Sequence, residues 1–301
     1  MREHAAIATF PRSRGRLLAA LAILLVLLVS ATAPAGAQER LRDRDADFSE
    51  FYEALEPHGT WIAHRDLGYV WSPYAAEDEE DWRPYTRGHW AQTEEHGWYW
   101  VSDEPFGWAT YHYGRWLKDD EFGWIWVPGT EWGPAWVAWR HSEEFVGWAP
   151  LPPEAVWEPD RETLSFRSSL MDEPRFLPYW CFIRPRFLSS TRLFRYSVPA
   201  PRNAAIVRQT SFFADYGNAN RRVYNRGLDA RLLANRSLRP VPLLRITPAS
   251  SPREHGLQRQ SGGGSGGVVQ VYRPRFSELT QPVAPRNVVA PPEKNRSLIG
   301  K

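Results

Sequence analysis

The sequence predicts a mainly β protein: an antiparallel meander of about eight strands built from Gly-x-Trp hairpin repeats, folded as a twisted sheet or small barrel, then an irregular basic region and a disordered tail. Self-similarity is the first ground. Gly88, Trp90, Gly97, Trp98 and Trp100 recur at Gly114, Trp116, Gly123, Trp124 and Trp126, each 26 residues later, and Gly59, Trp61, Gly68 and Trp71 precede the middle copy by 29. A fourth, eroded copy follows in Trp136, Trp139, Gly147 and Trp148. Alternation is the second, since Trp98 and Trp100 fall on one strand face while Tyr99 and Val101 fall on the other, as Trp124 and Trp126 do against Ile125 and Val127. Turn chemistry is the third: Thr93 to Gly97 and Asp119 to Gly123 carry acids and a trailing glycine at equivalent places. Because 14 of the 16 tryptophans lie between Trp61 and Trp148, this stretch decides what the chain is.

Residues 1–37 read as a signal peptide. Arg2, Arg12, Arg14 and Arg16 form a cationic start, Leu17 to Val29 is apolar, and Ala35-Gly36-Ala37 offers a small-residue cleavage site before Gln38. The apolar run is shorter than the roughly 20 residues of a spanning helix. With no other segment apolar enough to span, the expectation is a periplasmic or secreted protein. Cys181 is the single cysteine, so stability must come from core burial, and its apolar neighbours place it in a buried strand.

Residues 38–58 form a charged lead-in and a short helix. Phe48, Phe51, Tyr52 and Leu55 share one helical face, with Asp47 or Ser49 as cap and Pro57 as terminator. Residues 59–153 form the Trp/Gly repeat β domain, each repeat contributing two strands and two turns. Gly88 and Gly114 mark bulges or places where another backbone approaches closely. The acidic run Ala75 to Asp81 reads as a solvated loop. Pro150-Leu151-Pro152-Pro153 closes the repeats. Residues 154–246 form a basic, mixed strand and helix region with a strand at Tyr179 to Ile183, a basic stretch from Arg184 to Arg195, an apolar stretch at Ala204 to Val207 and a helix at Asp229 to Ala234. Residues 247–301, rich in Pro, Gly and Arg, form the disordered tail, whose removal is expected to leave the fold intact.

Charge is divided along the chain. Gln38 to Trp157 holds 24 acids against 9 Lys/Arg, a net of −15, whereas Glu158 to Lys301 holds 10 against 24, a net of +14. Such asymmetry signals a charged partner, or two halves that attract one another.

Enzyme signatures are scarce. Asp103/Glu104 and Asp119/Asp120 sit where turns are expected and read as solvated turn acids rather than a glycosidase pair. His89, His96, His112 and His141 lack zinc-helix spacing, and no nucleophile elbow, phosphate loop or dinucleotide fingerprint occurs. No catalytic residue, metal or cofactor is expected.

The chain resembles an exported bacterial family classed as domain of unknown function 6600. Phe51 to Leu55 leading into Gly59-Thr60-Trp61, Trp82-Arg83-Pro84-Tyr85, Trp100 to Pro105, Tyr111 to Trp116, Val127-Pro128-Gly129, Trp136 to Arg140 and Gly147 to Pro153 carry the resemblance. Val223 to Gly227 and Val271 to Arg275 fit it downstream. The resemblance implies no activity. A likeness to glycine-tryptophan cell-wall modules rests on a dipeptide alone and transfers nothing.

Both faces of the repeat strands are apolar, which one sheet has difficulty hiding. Trp90, Trp98, Trp108, Trp116, Trp124 and Trp132 are therefore the candidate ligand-stacking aromatics. The functional expectation is a noncatalytic envelope protein that binds cell-wall glycan or exopolysaccharide through exposed tryptophans. The alternative is a scaffold that meets an envelope protein partner through its acidic and basic halves. Nucleic acid is a poor third, because an exported protein seldom meets it.

Overall fold

The computed structural model describes residues 47–218, 222–229, 236–258, 266–277 and 283–290. The leader, most of the lead-in and all but Asp229 of the helix expected at Asp229 to Ala234 lie outside them.

Eight repeat strands form four hairpins: β1 Gly59–His64 with β2 Gly68–Pro73, β3 Gly88–Thr93 with β4 Gly97–Ser102, β5 Arg115–Asp119 with β6 Gly123–Val127, and β7 Val137–His141 with β8 Val146–Pro150. Their registers coincide. Trp61 faces Trp71, Trp90 faces Trp100, Trp116 faces Trp126 and Trp139 faces Trp148 across the strands. Directly opposed aromatic pairs are among the strongest cross-strand contacts. All eight rings are buried in one core.

The glycines explain the repeat. A Cβ on Gly88 would sit 2.2 Å from the Val101 carbonyl and 2.9 Å from the Trp100 ring; on Gly114 it would sit 2.1 Å from the Val127 carbonyl and 2.8 Å from the Trp126 ring. Each glycine lets a strand lie flat against the indole of its partner. The β3–β4 ladder runs through Gly88, paired with Ser102, without a bulge, and Gly114 immediately precedes the first β5–β6 pair, Arg115 with Val127, so close approach is the operative reason.

A single shared meander is not what these hairpins build. The first and third join through Trp71 opposite Trp126, in the order β5-β6-β2-β1. The second lies at the centre of a seven-stranded sheet and the fourth in a four-stranded one, and among the described residues no sheet closes into a barrel. Segments from beyond the repeats supply the other strands. After the β9 Val156–Glu158 and β10 Thr163–Ser165 hairpin come β11 Cys181–Ile183 and β12 Ser211–Phe213, which flank β8 and β7. β13 Tyr216–Asn218 and β14 Val223–Asn225 extend the second hairpin on the β4 side; β15 Leu243–Pro248, β16 Gly256–Gln258 and β17 Gly266–Val271 extend it on the β3 side. Finally β18 Val288–Val289 pairs with β1 in parallel. The sheets separate because all four tryptophan pairs turn inward to one core, which a flat ribbon would not allow.

This arrangement corrects the tail. On the second face of β3 and β4, Ala91, Tyr99 and Val101 form a separate buried cluster with Leu244, Val269 and Val271. The second apolar face of this hairpin is therefore covered by the C-terminal strands. Phe276 packs on Phe48, Phe51 and Tyr113, and Tyr272 on Trp108. Residues 259–265, 278–282 and 291–301 lie outside the described residues.

Smaller elements follow the sequence closely. The helix Ser49–Leu55 buries Phe51 and Leu55, and Asp47 accepts a bond from the Ser49 amide at 2.9 Å. The acidic run departs from the solvated loop expected of it, since Tyr74–Asp78 forms a short helix. Cys181 is buried opposite Trp148. Among the described residues no helix is long and apolar enough to cross a membrane.

Candidate functional site

Five of the six candidate stacking tryptophans are core residues, so the exposed-tryptophan expectation is corrected. Trp90 and Trp98 are fully buried and both pack on Trp139, at 4.5 and 5.5 Å between ring centres. Trp108 lies between Phe51 and Tyr272, Trp116 between Tyr111 and Trp82, and Trp124 against Tyr179. Trp132 is half-buried, and the Arg273 guanidinium sits 3.6 Å above its ring. A sugar ring would find every one of these faces already engaged.

Trp132 belongs to a polar cluster that ties the C-terminal strands to β4. Its ring lies edge-on to His96 and stacks on His112, which itself stacks on Tyr99 and neighbours His255. Nδ1 of His96 meets the Val223 carbonyl at 2.9 Å and Nδ1 of His112 meets that of Gly133 at 3.0 Å. Both must therefore be protonated at Nδ1, and the Arg273 guanidinium donates to Nε2 of His96 at 3.1 Å. Burial pushes His96 and His255 down to about 4, and His112 well below the usual imidazole range. The cluster is a clasp of neutral imidazoles.

The accessible aromatic chemistry lies elsewhere, on Arg184 to Tyr196. Strand β11 fixes its start on β8, and Pro185 opens a 3-10 turn over Pro185–Phe187. Leu188 and Leu193 are buried anchors, so the residues around them turn outward. Arg184, Arg186, Arg192 and Arg195 are exposed. Phe194 and Tyr196 are exposed at 45% and 40%, unusually high for large aromatics. Tyr196 stacks on Phe187 with ring centres 4.0 Å apart, and Arg186 lies 4.9 Å over the Phe187 ring. Arg184 pairs with Glu144 at 3.1 Å, whereas no ion pair engages Arg186, Arg192 or Arg195 among the described residues. The sequence marked this stretch as basic. Its interleaving of arginine with Phe187, Phe194 and Tyr196 was the signal that the tryptophans overshadowed.

A cleft flanks the segment on each side. One, of about 520 Å³, is bordered by Glu143, Glu144, Arg184, Arg186 and Arg236. The other, of about 450 Å³, lies between Arg192, Phe194 and Arg195 on one wall and Arg87, Glu104 and Phe106 on the other. Glu104 is not the solvated turn acid expected from its place after β4. Trp82 Nε1 donates to it at 2.7 Å, the Tyr111 hydroxyl donates to its second oxygen, and burial pushes its carboxyl up to about 7.

The hairpins that carry this cleft and the core beneath it fall within residues 52–155, which match the sequence profile of a family of unknown function, DUF6600. Residues 52–155 belong to DUF6600. The family stretch thus starts in the first helix and ends just beyond β8, taking in all four tryptophan pairs. No curated protein and no solved structure matches the chain. Arg184 to Tyr196 lies outside the matched residues, so one wall of the 450 Å³ cleft comes from the family stretch and the other from the chain that follows it.

Proposed function

We propose that this is a noncatalytic, exported envelope protein that binds an anionic cell-wall glycan or exopolysaccharide. One observation carries the reading: the exposed arginines of Arg184 to Tyr196 alternate with accessible aromatic rings and border two clefts. Guanidinium groups form paired bonds to carboxylate or phosphate, and flat rings suit the C–H faces of sugars. The contact surface is therefore this segment and not the tryptophan repeats. A nucleic acid would meet the same cations, and export keeps it a poor third.

Two measurements test the proposal. Intact mass of the exported protein should begin at Gln38; Met1 retained in a membrane fraction would sink the export reading. Retention on acidic wall polymer across a salt series should fall about tenfold or more in an Arg186→Ala/Arg192→Ala/Arg195→Ala variant, with a flatter salt dependence. Its stability should stay within about 0.5 kcal/mol per exposed site. Unchanged retention at every salt concentration would overturn the assignment.

The scaffold alternative is weakened by pairs that cross the charge divide within one chain. Arg222 meets Glu95 at 3.3 Å, Arg236 meets Glu143 at 3.7 Å and Arg286 meets Glu53 at 3.0 Å. Exposed pairs contribute little individually. Their arrangement nevertheless accounts for part of the acidic and basic asymmetry without a second protein.

A further inference from the structure

The 450 Å³ cleft carries both signs of charge, which a groove serving only to attract a polyanion would not need. Arg87 on one wall is neutralised by Glu79. Arg192 and Arg195 on the other have no acidic partner among the described residues. Glu104 is held on both oxygens, by Trp82 and by Tyr111, and still lines the cleft. A carboxyl oxygen accepts two bonds, so each retains capacity for a ligand group. Phe194 offers an exposed ring at the same place.

From this geometry we propose that the cleft binds one acid-bearing sugar unit of the polymer, with Arg192 and Arg195 gripping its anionic group, Phe194 lying against its ring and Glu104 hydrogen-bonding beside it. The inference rests on the reading of Arg184 to Tyr196 as the polymer-binding surface and adds which unit is read. The acid is a sugar carboxylate or a phosphate ester, which share this chemistry.

Proton linkage follows from the crowding of two acids. A ligand anion beside Glu104 disfavours its carboxylate, so the site binds best when Glu104 is protonated and donates a hydrogen bond. The charged and titratable groups facing Glu104 are Arg87 with its partner Glu79, Asp103, Tyr111, Arg192 and Arg195. Arginine stays cationic throughout, and burial holds the Tyr111 hydroxyl well above its usual range. With the Glu104 carboxyl near 7, affinity should fall about tenfold per pH unit above 7 as the competent form becomes scarce.

Calorimetric titration of the whole protein with tetragalacturonate, a cellotetraose bearing a phosphate ester and neutral cellotetraose, from pH 6 to 9, tests this. At least one acidic tetramer should bind about tenfold or more tightly than cellotetraose, and which one does identifies the acid. Glu104→Gln, which imitates the neutral acid, should keep the tight binding to pH 9 and abolish the pH dependence. Should that variant not fold, wild-type titrations in buffers of different ionisation enthalpy should show proton uptake on binding between pH 7 and 8. Equal affinity for cellotetraose, a wild-type affinity that is flat with pH, absence of proton uptake, or a pH dependence that persists in Glu104→Gln would each overturn the proposal. If acidic polymer is retained while the tetramers show neither selectivity nor proton uptake, the cleft inference alone fails. If no polymer is retained, the surface reading fails with it.

Discussion

Deleting residues 247–301 is expected to destroy the cooperative melt, the reverse of what the Pro/Gly/Arg-rich composition implies. The deletion removes β17, whose Val269 and Val271 are buried in the second cluster. It also strips Tyr272 and Phe276 from Trp108, Phe51 and Tyr113, and Arg273 from Trp132. Each buried apolar side chain lost costs roughly 1.5–3 kcal/mol, against a total stability on the order of 5–15 kcal/mol. Differential scanning calorimetry of the truncated chain decides the matter; a melt within a few degrees of the full-length protein would show that these strands are not integral.

Mild acid should loosen the same clasp without any mutation. His96 and His255 lie near 4 in the folded protein and near 6.5 when unfolded, so between those values the unfolded chain holds more protons. Their stabilisation is complete above about pH 6.5 and is lost as pH falls toward 4. Glu104 has the opposite sign: raised to about 7, it favours the fold below its unfolded value and loses that contribution as pH rises through 7. With His58 and His89 also lowered by burial, five depressed imidazoles among the described residues outweigh one raised carboxyl, which places the stability maximum near pH 6.5 and the steeper loss on the acid side.

The sequence displayed the hairpins because their cause is local. Glycine at a close approach, tryptophan opposite tryptophan and a positive-φ turn glycine, at +77°, +71° and +68° in Gly68, Gly97 and Gly123, all lie within one repeat. Partition of the hairpins among sheets was not legible, because it depends on strands drawn from residues 181 to 289, and β14 joins β4, β15 joins β3 and β18 joins β1 in parallel across long stretches of chain. The site was misread for a related reason. Two apolar faces on one strand implied exposed tryptophans, whereas the chain supplies its own cover through Leu244, Val269 and Val271. Arginines with aromatic neighbours in 3-10 turns have no periodicity to announce them.

Replacing Trp90 with alanine is expected to destabilise the protein by roughly 3–5 kcal/mol, as large aromatic truncations in a packed core do. Trp90 is the hub of the tryptophan core: its ring centre lies 4.5 Å from Trp139, 5.0 Å from Trp100, 5.8 Å from Trp148 and 6.3 Å from Trp98. Its indole nitrogen has no hydrogen-bond partner among the described residues, so the loss is almost wholly one of packing, and phenylalanine should recover much of it. For a chain of this size the alanine variant should melt roughly 6–20 °C lower. Phe194→Ala is the matched control, since that ring is 45% exposed and should cost within about 0.5 kcal/mol while weakening polymer retention. The two variants thus separate core tryptophan from surface aromatic. If Trp90→Ala melts like the parent and loses polymer binding, the ring is a contact surface after all, and the four inward-facing tryptophan pairs do not form the core.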